Sequence, residues 1–257
     1  MNPQRIAVIA SNVFRDIFRD RVLYLAGLYA IGLVLIILFL GEVSAGTEGK
    51  ISVDVGLASI SILTLAVAAF EGGGLINKEV EKRTALILIA KPLSRSEFVL
   101  GKHLGLSGVL ALLIAIMTTI LVSVLSWQQF SYNLNNILLS NGFLILEMAL
   151  IAAVSILFGA FTSSLMGTVL TFAVYFMGHF SQNLLALSES IEAKSLQQIA
   201  KGIYLIFPDL SRLDLKNQAV HVITVPPPEL AMNVVYGLVY IVLLLAISII
   251  IFANREF

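Results

Sequence analysis

The sequence predicts an all-α polytopic membrane protein with six transmembrane helices, preceded by an amphipathic helix. Three observations carry this. The chain of 257 residues is 58% hydrophobic and only 12% charged, about half the charge of an ordinary soluble domain. Its apolar residues gather into six runs, each near the ~20 residues that cross ~30 Å of hydrocarbon. Lipid also offers no partner to a backbone amide, so each run must satisfy its own, which a helix does. The net charge of zero points to no nucleic-acid partner, and the absence of cysteine excludes disulfides and thiolate metal sites.

Ahead of the first run, Ile6, Ile9, Ala10, Val13, Phe14, Ile17 and Phe18 recur at helical spacing, with Arg5, Asn12, Arg15, Asp16 and Arg19 on the other face. This pattern predicts an amphipathic helix lying in the membrane interface. The six runs cover roughly residues 22–40, 55–76, 103–126, 137–159, 164–187 and 234–253. The first is bounded by Arg21 and Glu42. At 19 residues it exceeds the ~7–15 of a signal-peptide core, although Val43-Ser44-Ala45 resembles a cleavage site. With the N-terminus inside, eleven of the 16 Lys and Arg residues fall in inner segments. The other five are Lys50, Lys194, Lys201, Arg212 and Lys216. That bias predicts both termini in the cytoplasm and a multi-pass protein of the inner (plasma) membrane. No repeat or second domain is evident, so residues 1–257 read as one transmembrane domain.

The densest charge lies between the second and third runs. Lys78, Glu79, Glu81, Lys82 and Arg83 fall in a predicted charged turn. Residues 85–90 are apolar and suit a short helix, and Pro92 stops it. Ser94 followed by Glu97 three positions on is a capping box that opens the third span. An ordinary solvated loop would account for the charge alone. A helix flanked by charges and a fixed break also suits a docking element, with an apolar face for a groove and charges for orientation.

In Glu79, Glu81, Thr84, Pro92, Ser94, Arg95, Gly101 and Lys102 the stretch resembles the ABC-2 type permeases, the transmembrane subunits of ABC transporters. The basic N-terminal helix, the six spans, the long segment before the last span and the closing Asn254-Arg255-Glu256-Phe257 extend the resemblance over essentially the whole chain. The family often has glycine before the threonine, where this chain has Arg83. The resemblance implies a cytoplasmic coupling helix between spans 2 and 3 that sits in a cleft of an ATP-binding subunit. It places Lys78, Glu79, Glu81, Lys82, Arg83 and Thr84 at that contact, and gives Pro92, Arg95, Gly101 and Lys102 the geometry of the loop. It further implies two copies of the ATP-binding subunit, which bind the ATP and Mg, and a second copy of this permease or a related one. The implied activity is transport, mostly export.

The chain supplies no ATPase of its own. Gly101-Lys102 invites a P-loop reading, but the position five residues before Gly101 is Ser96 and Lys102 is followed by His103. Gly101 and Gly105 instead predict close helix packing. No hydrolase, metalloprotease or zinc motif is present, so no catalytic residue, metal ligand or bound cofactor is expected.

Three ionisable residues fall within the runs. Glu147 is near mid-span in the fourth, and a charge there costs ~2.5–3.5 kcal/mol on insertion scales. His179, in the fifth, is predicted within roughly one turn of the same depth. The pair is expected to hydrogen-bond across the two spans, or else each faces the bundle interior separately. Glu71 precedes Gly72-Gly73-Gly74, which would let the second span bend, or is an interfacial side chain beside a tightly packed helix end. The outer segment 188–233 is predicted to carry a surface helix over Leu196–Phe207, ended by Pro208, and resembles an outer gate of the family. Asp209, Arg212 and Asp214 suggest a surface for a periplasmic or extracellular partner. Two other functions remain open at this point. One is a proton-coupled carrier or channel using Glu147, His179 and Glu71. The other is a non-transporting membrane scaffold.

Overall fold

Helix ends in this chain are written in its capping residues. In the computed structural model, which describes residues 2–19, 23–43, 47–81, 94–189, 202 and 207–254, Asn2 caps α1 (Pro3–Ile17), its side chain accepting from the Gln4 amide. Next come α2 (Leu23–Val43) and α3 (Glu48–Glu81). The predicted capping box opens α4 (Arg95–Trp127): Ser94 Oγ accepts from the Glu97 amide, and the Glu97 carboxylate accepts from the Ser94 amide. Asn133 caps α5 (Leu134–Phe161), and Thr162 leaves the helical region before α6 (Ser164–Glu189). A 3₁₀ turn (Leu210–Arg212) and the short α7 (Lys216–His221) precede the last helix, α8 (Pro227–Asn254). No strand occurs among the described residues.

Four of these helices are long and apolar enough to cross a membrane: α3, α4, α5 and α8. Two shorter apolar stretches, Tyr24–Phe39 in α2 and Ser164–Phe180 in α6, accompany them.

The bundle is organised around α5, which packs against α3, α4, α6, α7 and α8. Its closest approach is to α3, which runs parallel to it. A Cβ on Gly72 would lie 2.7 Å from the Ser155 side chain, and one on Gly159 would lie 2.9 Å from the Gly73 carbonyl. Ser155 Oγ and Thr168 Oγ1 both donate to the Ala69 carbonyl, and Asn77 Nδ2 bridges the Gly73 and Thr162 carbonyls. Of the two readings of these glycines, the tightly packed helix end is the one seen: α3 stays helical through them as far as Glu81, and they serve close approach.

The amphipathic face of the N-terminal helix meets protein: α1 packs along the first turns of α4, running in the same direction. A Cβ on Gly101 would sit 2.7 Å from Ile9, one on Gly105 would sit 2.7 Å from Val13, and Phe14 comes next to Gly108. Amphipathic spacing shows that a face is buried, without showing what buries it. Here α4 does so, through the close packing that Gly101 and Gly105 permit.

Candidate functional site

Two places gather the polar chemistry. The first is the end of the bundle where α4 begins. The Asn2 amide donates to Glu97 Oε1 at 2.6 Å, and Arg5 Nη1 stands 4.0 Å from Glu97 Oε2. The Arg95 guanidinium donates to the Phe252 carbonyl at 2.8 Å and to the Ala253 carbonyl, and lies over the Phe252 ring. A cation is favoured there, since the final carbonyls of α8 have no partner within the helix. Phe252 stacks on Phe98, and Lys102 Nζ lies 5.2 Å from the centre of the Phe98 ring. Arg95 thus joins the start of α4 to the end of α8, and Lys102 covers the Phe98 ring one turn further along α4. Lys78, Glu79 and Glu81 fall on the last turns of α3, so the predicted charged turn begins as helix. Lys82, Arg83, Thr84 and Pro92, with most of the predicted coupling helix, lie outside the described residues.

The second place is inside the bundle. Glu147 is fully buried on α5. His179 Nε2, on α6, lies 3.4 Å from Glu147 Oε1 and 3.6 Å from Asp214 Oδ2. Lys216 Nζ stands 3.2 Å from the same Asp214 oxygen and 3.5 Å from Ser61 Oγ on α3. Ser61 Oγ in turn meets Tyr175 Oη at 3.2 Å, and the Tyr175 ring packs on His179 with centroids 4.4 Å apart. Among the described residues neither Glu147 oxygen has a hydrogen-bond partner, and neither does His179 Nε2. The pair meets at ion-pair distance without a hydrogen bond.

Asp214 and Lys216 reach this depth because residues 207–221 dip into the bundle. Leu210 and Leu213 are fully buried, and Leu215 and Ala219 nearly so. A Cβ on Gly178 would lie 2.7 Å from both Leu210 and the Pro208 carbonyl, so that glycine admits the segment against α6. Asp209 is also buried, its carboxylate accepting from Ser211 Oγ and Arg212 Nε, while its amide donates to Tyr236 Oη. Of the three residues expected at a partner surface, Asp209 is buried and Asp214 faces the cluster, while the Arg212 side chain stays 38% exposed. Burial opposes the charge of Asp214, but His179 and Lys216 outweigh it and bring its pKa down to about 2. Burial likewise opposes the charge of Lys216, and Asp214 outweighs it, so the ammonium holds its proton more tightly than usual.

Beside the same segment an open cavity of about 640 Å³ lies between the start of α3, the α4–α5 turn and α7, lined in part by Lys50, Tyr132, Asn133, Ala219 and Val222. No cluster of metal-ligating side chains occurs among the described residues.

The family model described as ABC-2 family transporter protein matches residues 7–257. The chain belongs to that family. No curated protein matches it. In this ABC-2 family chain the sequence singled out Glu147 and His179, and the fold brings them together. Glu71 is buried separately on α3. Sequence reasoning missed Ser61, Tyr175, Asp214 and Lys216. The signal for the last two was the alternation Leu210, Leu213, Leu215 around Asp214 and Lys216, which reads as surface unless the whole segment is inserted.

Proposed function

We propose that this chain is the membrane-spanning permease subunit of an ATP-driven exporter, with six spans and both termini in the cytoplasm of an inner (plasma) membrane. The observation that carries the reading is the match of the ABC-2 family over residues 7–257. Family membership generally implies an ATP-binding partner on a separate chain, and the sequence offers no P-loop of its own. Two such subunits, binding ATP and Mg, would dock on the segment that includes Lys78, Glu79, Glu81, Lys82, Arg83 and Thr84, and a second copy of the permease would complete the pathway.

The construction at the start of α4 supports this reading. A coupling element works only if its motion is passed on, and this one is continuous with α3 on one side and leads into α4 on the other. Arg95 joins α4 to the end of α8, and Glu97 joins it to the start of α1. A push on the segment is therefore delivered to four helices together.

Purifying the tagged chain from detergent and assaying co-purified ATPase activity tests the proposal. An ATP-binding protein should accompany the native chain and be lost from Glu79→Ala/Glu81→Ala. A folded chain that purifies with no ATPase would refute it.

A further inference from the structure

The hydrogen-bond roles in the buried cluster define a count of protons. His179 Nδ1 stands 3.2 Å from the Tyr175 carbonyl, one turn back on α6. A carbonyl can only accept, so Nδ1 carries a hydrogen. That leaves Nε2, which faces Glu147 at 3.4 Å and Asp214 at 3.6 Å. If Nε2 and both carboxylates were all unprotonated, three lone-pair surfaces would confront one another in a buried site.

One further proton resolves this, on Nε2 or on Glu147. Either placement leaves the cluster neutral: Lys216 balances Asp214, and His179 balances Glu147 or both are uncharged. Among the described residues the other elements add no further charge here, and the titratable His103 of α4 meets α5 at the Ala149 carbonyl. Ser61 is what α3 presents, Tyr175 is the second group of α6, and Asp209 and Arg212 pair with each other.

Two of the four ionisable groups belong to the inserted segment and two to the helices that receive it. We propose that Glu147 and His179 share one exchangeable proton, taken from water, whose presence seats residues 207–221 in the bundle. With the proton lost, Glu147 and Asp214 repel across a bare imidazole nitrogen, and the segment withdraws. The cavity on its other face, lined by Ala219 and Val220, gives it solvent and room to move. The latch responds to pH and does not depend on ATP, so it stands or falls independently of the motor.

The chain has no cysteine, so a single introduced thiol reports the segment cleanly. Leu213→Cys and, just beyond Asp214, Leu215→Cys place it at buried positions, and Asn217→Cys serves as the exposed control. The protein in lipid nanodiscs is labelled with a polar maleimide, and each rate is divided by that of the control to cancel thiol ionisation. Between about pH 6 and about pH 9 the ratio should rise about tenfold as the proton leaves. Glu147→Gln removes the unbalanced charge and should keep the segment seated throughout. His179→Gln should move the release to lower pH. A ratio that stays flat with pH, buried sites that label like the control at every pH, or a full response surviving in Glu147→Gln would each overturn the proposal.

Discussion

The start of α4 and the buried cluster are both polar meeting points of several helices, but they are built differently. At the α4 end each group named has a complement. Arg95 answers helix carbonyls, Glu97 answers two amides, and Phe252 answers Phe98. In the cluster the charges balance only as a set, and three polar atoms have no hydrogen bond. The first arrangement is rigid, because no member can leave without loss. The second can exist in two states, because its stability depends on a proton it does not hold permanently.

The contrast predicts a graded set of losses, each read as thermal unfolding in detergent by circular dichroism unless stated. His179→Ala leaves Glu147 facing Asp214 without its cation and should cost about 3–5 kcal/mol, the largest effect. If it cost under about 1 kcal/mol, the cluster would not hold the bundle together. Gly105→Val drives a side chain into the Ala10 carbonyl and Val13, and should cost about 1–3 kcal/mol while freeing the N-terminal helix for proteolysis. Arg95→Ala removes a charged donor from the α8 terminus and should cost about 1.5–3 kcal/mol. Hydrogen exchange would localise that loss to the last turn of α8. Ser94→Ala should cost about 1 kcal/mol and show as faster exchange at the first amides of α4.

Acid sharpens the contrast from the other direction. The pKa of Asp214 is lowered by folding, so its contribution is complete above the ordinary carboxylate range, near pH 4, and is lost as pH falls through about 2. A scan of unfolding temperature from neutral to acid should show this late loss, and Lys216→Met should bring it to higher pH.

Much of this was legible in the residues. The capping box at Ser94 and Glu97 and the common depth of Glu147 and His179 follow from local spacing, because they depend on one helix or on neighbouring antiparallel ones, and Gly101 and Gly105 announce close packing by their size without naming the partner. What local pattern left open shares a cause. Gly72 and Gly73 suggest flexibility to a reader who cannot see Ser155 and Gly159 pressed against them. The stripe of α1 suggests lipid to a reader who cannot see α4. Asp214 and Lys216 look like solvent-exposed charges until the chain doubles back and inserts them. In each case the deciding neighbour lies about 80 or more residues away, or on an element whose insertion no local pattern announces.

The length of α4 has a mechanical consequence. Its 33 residues span about 50 Å, roughly 20 Å more than a bilayer's hydrocarbon thickness. The part sheathed by α1, from about residue 97 to residue 108, has nearly that excess length. A helix doubled in this way is a stalk, stiffer in bending than a bare one. Tilting a 20 Å stalk by about 10° carries its tip some 3–4 Å sideways. A small rotation of the bundle therefore becomes an ångström-scale stroke at the sheathed end of α4, and the reverse.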